Sequence, residues 1–300
     1  MSKKYFLYNP HAGHGKCKEE VDALALNYEN AECLDVTALT DMSEFFGKLD
    51  VDDVVIICGG DGTLNHFAND ILGVDIKNDI YYYAIGSGND FSRDLGKDRA
   101  SAPDFKVNEY ITNLPTVTIN GETKVFINGI GYGVDGYCCE EGDAIRAKNE
   151  ANNTNKPINY TAIAIKGLLF KYKAKNAVVT VDGVKHNYKK VWIAPTMNGR
   201  YYGGGIMPTP DQDRLNEDKN LTVMIFHGTS KLKTLMIFPS LFKGEHLKYK
   251  DAIELIEGRE ITVEFDAPSP LQIDGETVLG VTSYTAKAAV VANTKEKDKV

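Results

Sequence analysis

Over the first third of the chain, short apolar runs alternate with polar, amphipathic stretches, and each run stops at a turn signal. Tyr5-Phe6-Leu7-Tyr8 ends at Asn9-Pro10, Val54-Val55-Ile56-Ile57-Cys58 at Gly59-Gly60, and Tyr81-Tyr82-Tyr83-Ala84-Ile85 at Gly86. The uninterrupted run 54–58 predicts a strand buried on both faces. Between the runs the pattern predicts helices over 16–29, where Val21, Leu24 and Leu26 sit among charges, and from about Leu64 to Leu72. Such strand–turn–helix repetition implies parallel strands joined by crossover helices.

Near Leu114-Pro115 the character changes. β-branched and aromatic runs at 116–119, 124–128, 177–181, 188–194, 221–226 and 260–265 predict short strands, with Asp182-Gly183 and Asp274-Gly275 among the turns between them. Within this half only 158–172 and 231–242 read as helical. The expected organisation is an α/β domain over 1–115, a mostly antiparallel β domain over 116–285, and a charged C-terminal segment over 286–300.

A chain of 300 residues suits two domains sharing a cleft. No apolar stretch approaches the roughly 18–20 residues that span a bilayer, and 5–8 is too short for a signal core, so a cytoplasmic protein is expected. The five cysteines, Cys17, Cys33, Cys58, Cys138 and Cys139, are an odd number without a CxxC pair. That excludes a disulfide framework and a zinc site, and leaves small core residues carrying reduced thiols. A net charge of −8 excludes a sequence-independent nucleic-acid binder.

Basic charge is nonetheless clustered. Residues 231–250 hold five lysines against Glu245 alone, around an apolar stripe of Leu232, Leu235, Met236, Phe238, Leu241 and Phe242. Residues 158–175 repeat the theme, with Leu168-Leu169-Phe170 beside Lys166, Lys171, Lys173 and Lys175. A basic amphipathic element suits the headgroup region of an anionic membrane. An ordinary helix covering the β domain, its lysines solvated, reads the same way.

The chemistry concentrates at the ends of the first strands. Gly59-Gly60-Asp61-Gly62-Thr63 follows a buried strand and opens a helix. Glycines there let backbone N–H groups approach phosphate, and the helix N-terminus adds a favourable dipole. A carboxylate such as Asp61 at a phosphate loop makes sense with Mg²⁺ between them. Asn9-Pro10-His11-Ala12-Gly13 and Gly86-Ser87-Gly88-Asn89-Asp90 leave the neighbouring strand ends, and in an open parallel sheet such loops meet in one crevice.

These segments, with Leu64-Asn65 and Phe91 extending two of them, resemble the diacylglycerol kinase catalytic-domain family, which includes bacterial soluble lipid kinases, sphingosine kinases and ceramide kinases. The resemblance continues in order through Phe126-Ile127-Asn128, Gly131-x-Gly133-Val134-Asp135, Gly203-Gly204-Gly205 and Ile273-Asp274-Gly275-Glu276. It implies ATP between a Rossmann-like α/β N-terminal domain and a mostly antiparallel β-sandwich C-terminal domain. It implies nucleotide binding by Asn9, Pro10, Gly59, Gly60, Asp61, Gly62, Thr63, Gly86, Ser87, Gly88 and Asn89. Asp274 matches the general base and Glu276 its acidic companion.

The same resemblance implies Mg²⁺ linked to Asp61, Asp90 and Asp135, and a structural Mg²⁺ at the acidic cluster 211–218 through Asp213 and Asp218. A solvated acidic loop is the competing reading of that cluster. A lipid alcohol, diacylglycerol by default, would be the acceptor, met at the inner face of an anionic membrane. A homodimer, and packing of residues 286–300 against the N-terminal domain, are expected on the same basis. Two positions depart from the family's pattern: His66 stands where Glu is common, and Thr118 where an acid is common.

A kinase of a soluble substrate such as NAD shares the nucleotide loop but leaves the 231–250 element unexplained. A catalytically inactive nucleotide- or lipid-binding protein is kept open by His66 and Thr118. Gly131-Tyr132-Gly133-Val134-Asp135-Gly136 fits the dinucleotide fingerprint GxGxxG, but no clear strand–helix–strand unit with a ribose-binding acid surrounds it in the sequence. Gly15-Lys16 fails as a Walker loop because Cys17 follows.

Overall fold

The structure, a computed structural model, describes residues 2–86, 88–97, 103, 105–152, 154, 156 and 158–291, and falls into two compact units. The first comprises Met1–Thr112 with Tyr201–Ile206 and Asp274–Glu276. Its sheet contains β1 (Lys4–Tyr8), β2 (Ala31–Asp35), β3 (Val54–Gly59) and β4 (Asp79–Ala84), all parallel, in the order β2-β1-β3-β4. Its helices are α1 (Cys17–Ala25), α2 (Met42–Gly47), α3 (Asp61–Asp70), α4 (Asp90–Asp94) and α5 (Asn108–Ile111).

The apolar run of β3 is buried from Val55 to Gly59, as a strand covered on both faces requires. On one face α1 turns Cys17, Val21 and Leu24 against Phe6, Tyr8, Ile56 and Cys58. β2 escapes sequence reading because it is an edge strand, half-exposed throughout apart from the exposed Glu32, with no continuous apolar run. The strand order is that of the flavodoxin-like doubly wound sheet, with the switch point between β1 and β3.

The second unit comprises Asn113–Arg200, Met207–Ile273 and Thr277–Val300. It contains β5 (Thr116–Ile119), β6 (Glu122–Val125), β7 (Gly129–Tyr132), β8 (Lys175–Val181), β9 (Val184–Val191), β10 (Thr196–Met197), β11 (Leu221–Phe226), β12 (Ile253–Gly258), β13 (Glu260–Ile273) and β14 (Glu276–Lys287). The ladder runs β12-β11-β10-β7-β13-β14-β5-β6, with the β8–β9 hairpin joined through β8 to β13. β13 is the spine. Its Ile261–Phe265 end pairs antiparallel with β8, and its Leu271–Ile273 end with β7. Tyr132 stacks on Phe265 with centroids 4.0 Å apart and meets Tyr284 edge-on, inside a core to which β5, β7, β8, β9, β11, β13 and β14 contribute Val, Ile and Leu.

Among the described residues the α-helices that accompany this sheet are α6 (Val134–Ala151), α7 (Tyr160–Lys166) and α8 (Lys231–Ile237). α7 continues into a π-helical turn over 167–171, and α8 into a 3-10 turn over 238–243. The sequence pattern misses α6 because it has no apolar stripe: its buried set is Val134, Asp135, Gly136, Cys138 and Gly142.

A linear division at 115 does not capture the two segments, 201–206 and 274–276, that cluster with the first unit. Residues 286–291 stay with the second unit, where Ala288 N–H donates to Arg259 O and Asn113 Nδ2 to Val290 O. The rest of the expected C-terminal segment lies outside the described residues. All five cysteines are free, and burial pushes Cys17 up to about 11 and Cys139 up to about 12, so they behave as packing groups.

Candidate active site

Loops leave the carboxyl ends of β1, β3 and β4. After β1, at Asn9-Pro10, the Asn9 side chain accepts the His11 N–H at 2.9 Å and donates from Nδ2 to Thr63 Oγ1 at 3.2 Å. The β1 loop is thereby tied to α3 across the switch point. α3 begins after Gly60 without a side-chain cap, and a helix N-terminus of this kind suits an anion.

The glycines here have steric reasons. A Cβ on Gly59 would lie 2.4 Å from Thr63 Oγ1, and one on Gly86 would lie 2.8 Å from Gly60 Cα, so the two glycine loops meet backbone to backbone. Gly62 faces open space with nothing within 4 Å. Asn89 has a left-handed backbone, φ 50°, and donates from Nδ2 to Gly86 O at 3.0 Å. Its Oδ1 is buried without a hydrogen-bond partner. Ser87 lies outside the described residues; Gly88 sits 3.5 Å, by its would-be Cβ, from both Asp61 Oδ2 and Gly204 Cα.

Two carboxylates organise this corner. Asp61 accepts the N–H of Asp90 at 3.0 Å and of Phe91 at 2.9 Å, capping α4 from the first residue of α3. Asp90 accepts the Gly204 N–H at 2.7 Å and meets Arg93 Nη1 at 3.3 Å. Burial, helped by the neighbouring Asp61 charge, raises the Asp90 carboxyl to about 6, while the Gly204 N–H and Arg93 oppose the shift. Gly203, Gly204 and Gly205 all have positive φ. That bend brings Gly204 N–H to Asp90 and leaves room for Arg93, whose Nη1 would meet a Cβ on Gly205 at 2.5 Å.

Asp274 and Gly275, with φ 47° and 96°, form the two-residue turn between β13 and β14. Asn65 on α3 donates from Nδ2 to Asp274 Oδ2 at 2.6 Å. Asn69, one helical turn on, donates to Asn65 Oδ1 at 3.2 Å and to Asn65 O at 3.0 Å. The bond to Oδ1 fixes the Asn65 amide so that its Nδ2 points at the carboxylate. His66 Nε2 sits 2.6 Å from Glu276 Oε1, so the residue that departs from the family pattern pairs with the aspartate's acidic companion. Sequence reading gave no role to Asn65, Asn69 or Arg93. The four-residue spacing of the two asparagines, which puts them on one helix face, was the available signal.

The remaining candidates lie in the second unit. Asp135 opens α6 and accepts the Gly136 N–H at 3.0 Å. In the 211–218 loop Asp213 Oδ1 accepts the Leu215 N–H, and the Asp218 carbonyl accepts from Arg259. The loop is anchored by Arg214, which donates to Ile127 O and Asn128 Oδ1, both at 2.6 Å. Among the described residues no group of three or more His, Cys, Asp or Glu side chains gathers as a metal site; backbone turns and the buried Arg214 order the 211–218 loop. Thr118 spends its hydroxyl on Thr123 across the β5–β6 hairpin at 2.8 Å.

The GxGxxG segment does join a strand, β7, to a helix, α6. Its glycines serve packing: a Cβ on Gly133 would lie 2.3 Å from Trp192 O, and one on Gly136 would lie 2.0 Å from Pro270 O. Among the described residues β7 pairs antiparallel with both its neighbours, β10 and β13, which is not the parallel βαβ unit a dinucleotide needs.

Backbone-only contacts between glycine loops, at the switch of a parallel sheet and beneath an uncapped helix, are how phosphotransferases hold a nucleotide. The comparisons agree with that class. Residues 3–118 match the diacylglycerol kinase catalytic domain, and residues 130–293 match the YegS C-terminal NAD kinase beta sandwich-like domain. A diacylglycerol kinase from Mycobacterium tuberculosis (strain ATCC 25618 / H37Rv) is 26% identical over 218 residues, 71% of this chain and 67% of that protein. A solved structure of a diacylglycerol kinase from Bacillus anthracis str. Sterne shares the fold, with a TM-score of 0.62 at 22% identity over 98% of each chain. The chain belongs to the diacylglycerol kinase catalytic-domain family and is a lipid kinase of that family.

Proposed function

We propose that the protein transfers the γ-phosphoryl group of ATP to the hydroxyl of a membrane lipid alcohol, with diacylglycerol as acceptor and phosphatidic acid as product. The observation that carries the reading is the oriented Asp274 carboxylate, held by Asn65 from the helix that opens at the glycine loop. In this reading Asp274 accepts the acceptor's hydroxyl proton as the new O–P bond forms. The bond from the γ-phosphorus to the bridging oxygen breaks, and ADP leaves. Phosphoryl transfer asks mainly for positioning and charge neutralisation. The N-terminus of α3 supplies part of that, and the glycine loops supply the close approach.

Mg²⁺ fits the donor set as a cation shared between few protein carboxylates and phosphate oxygens. Asp61 and Asp90 are the residues that would hold it. Burial first, and the neighbouring Asp61 charge second, raise the Asp90 carboxyl, and the repulsion between the two carboxylates is what a cation relieves. When bound, Mg²⁺ neutralises charge on the phosphates.

The test incubates the protein with γ-labelled ATP and mixed micelles, each carrying one lipid alcohol, with NAD as a soluble acceptor in parallel. Label should enter one lipid. Asp274→Asn should abolish it, and Asn65→Ala should lower kcat by about 10- to 100-fold, the worth of one hydrogen bond to a charged group. Label in NAD alone, or full activity in Asp274→Asn, sinks the reading.

A further inference from the structure

The two basic, apolar stretches of the sequence, 158–175 and 231–250, come together in the second unit. α8 packs against the π-helical turn 167–171, and Lys231 Nζ donates to Leu169 O at 3.1 Å. The structure divides each apolar stripe in two. Leu168, Ile237, Phe238 and Leu241 are buried and cover the β domain. Phe170, Leu232 and Met236 are left 78%, 71% and 68% exposed, and Ile165, Leu169 and Phe242 are exposed beside them. The π-helical turn helps to produce this: Gly167 seats against the Tyr137 ring, 2.4 Å from a would-be Cβ, while the next residues after Leu168 turn outward.

Single exposed apolar residues need no explanation, whereas a contiguous set from two chain-distant elements marks an interaction surface. Charge selects the partner. The two stretches carry nine lysines, four and five, against the one glutamate Glu245, in a chain of net charge −8. Lys171 is answered by Glu141 at 3.3 Å and Lys233 by Asp251, yet Lys166, Lys173 and Lys231 remain exposed around the apolar centre. A second copy of the same face would oppose lysine to lysine in an isologous contact. An anionic headgroup layer over acyl chains complements both features.

We propose that the face formed by the 167–171 turn and α8 docks the protein on an anionic lipid bilayer, inserting Phe170, Leu232 and Met236 among the headgroups. Its purpose rests on the lipid-acceptor reading above, but its measurement does not. The whole chain, without nucleotide, is co-sedimented with phosphatidylcholine vesicles and with vesicles in which roughly a third of the lipid is phosphatidylglycerol.

Binding should require the anionic lipid and weaken with salt. The F170S/L232S/M236S and K166E/K173E variants should each lower partitioning by about tenfold, with unchanged thermal melting. The lysine variant keeps the test decisive if the apolar one misfolds. Partitioning equal to wild type in the folded variants overturns the proposal, as does failure of the wild type to bind at low ionic strength. A concentration-dependent dimer that the variants dissociate also overturns it, by making the face a self-association surface. Vesicle binding without phosphorylation of any lipid, including a short-chain soluble diacylglycerol, leaves the docking face standing and sinks the kinase reading instead.

Discussion

Asp182-Gly183 and Asp274-Gly275 close two hairpins with the same pair of positive φ values, 48° and 82° in one, 47° and 96° in the other. Their side chains have different company. Asp182 accepts the backbone N–H groups of Arg259 and Glu260 and is consumed by the fold. Asp274 meets the side chain of Asn65 on the nucleotide-loop helix. Turn propensity thus made both dipeptides legible, while the surroundings of one depend on a partner 209 positions away, which no local pattern encodes. Glycines divide in the same manner. Gly59 and Gly86 are required by neighbouring atoms, whereas Gly62 touches nothing and has an ordinary φ. If a bound phosphate is the reason for Gly62, Gly62→Ala should leave the melting temperature unchanged or raise stability by up to about 1 kcal/mol, the helix preference for Ala. Its ATP affinity should fall at least about tenfold, one blocked close contact. Calorimetry of ATP binding beside a thermal melt checks this, and unchanged affinity would remove Gly62 from the site.

At the scale of elements, strands with continuous apolar runs were legible, and β3 and β11 fall where the pattern places them. α6 was not, because small and polar residues line its buried face. Its fit predicts a reversal of ordinary helix energetics: Ala normally beats Gly by about 1 kcal/mol in a helix. At Gly136 a methyl would meet Pro270 O at 2.0 Å, backbone against backbone, so Gly136→Ala should destabilise the second unit by about 3 kcal/mol, read from denaturant midpoints. Proline 208 and the 245–248 turn are joined by His246, fully buried, whose Nε2 lies 2.8 Å from Pro208 O. Burial lowers its folded pKa below the ordinary 6.5. The unfolded chain therefore binds the proton more readily, and this contribution is complete above about 6.5 and lost as pH falls below it, at up to about 1.4 kcal/mol per unit. Asp90, raised to about 6, works in the opposite direction as pH falls from 6. The contribution is therefore isolated by comparing wild type with His246→Gln, whose melting temperature should fall less between pH 7 and about 5. Parallel curves would show that His246 does not carry it.

For the whole molecule, the order of the chain and the order of its contacts diverge at the candidate site. A reader of the sequence places the nucleotide domain in the first 115 residues, since every apolar run and glycine loop of the parallel sheet is there. The first unit nevertheless takes Tyr201–Ile206 and Asp274–Glu276 from the later chain. Both segments complete something the first 112 residues leave open. Gly204 gives Asp90 its backbone donor, Arg93 lies beneath the Tyr201 ring at 5.9 Å, and Asp274 and Glu276 meet Asn65 and His66. A fragment of residues 1–112 therefore keeps the parallel sheet but leaves a 96%-buried carboxylate without its Gly204 partner. Losing a hydrogen bond to a charged group costs about 1.5–3 kcal/mol, concentrated at α4. Hydrogen exchange should show the amides of Arg93 and Leu95, which close α4, exchanging at least about tenfold faster in the fragment than in the whole chain. Those of β1 and β3, held by strand pairing within the fragment, should change far less. Equal acceleration throughout the sheet would mean that the later segments stabilise the entire unit, and no acceleration at α4 would mean that Asp61 alone suffices to hold it.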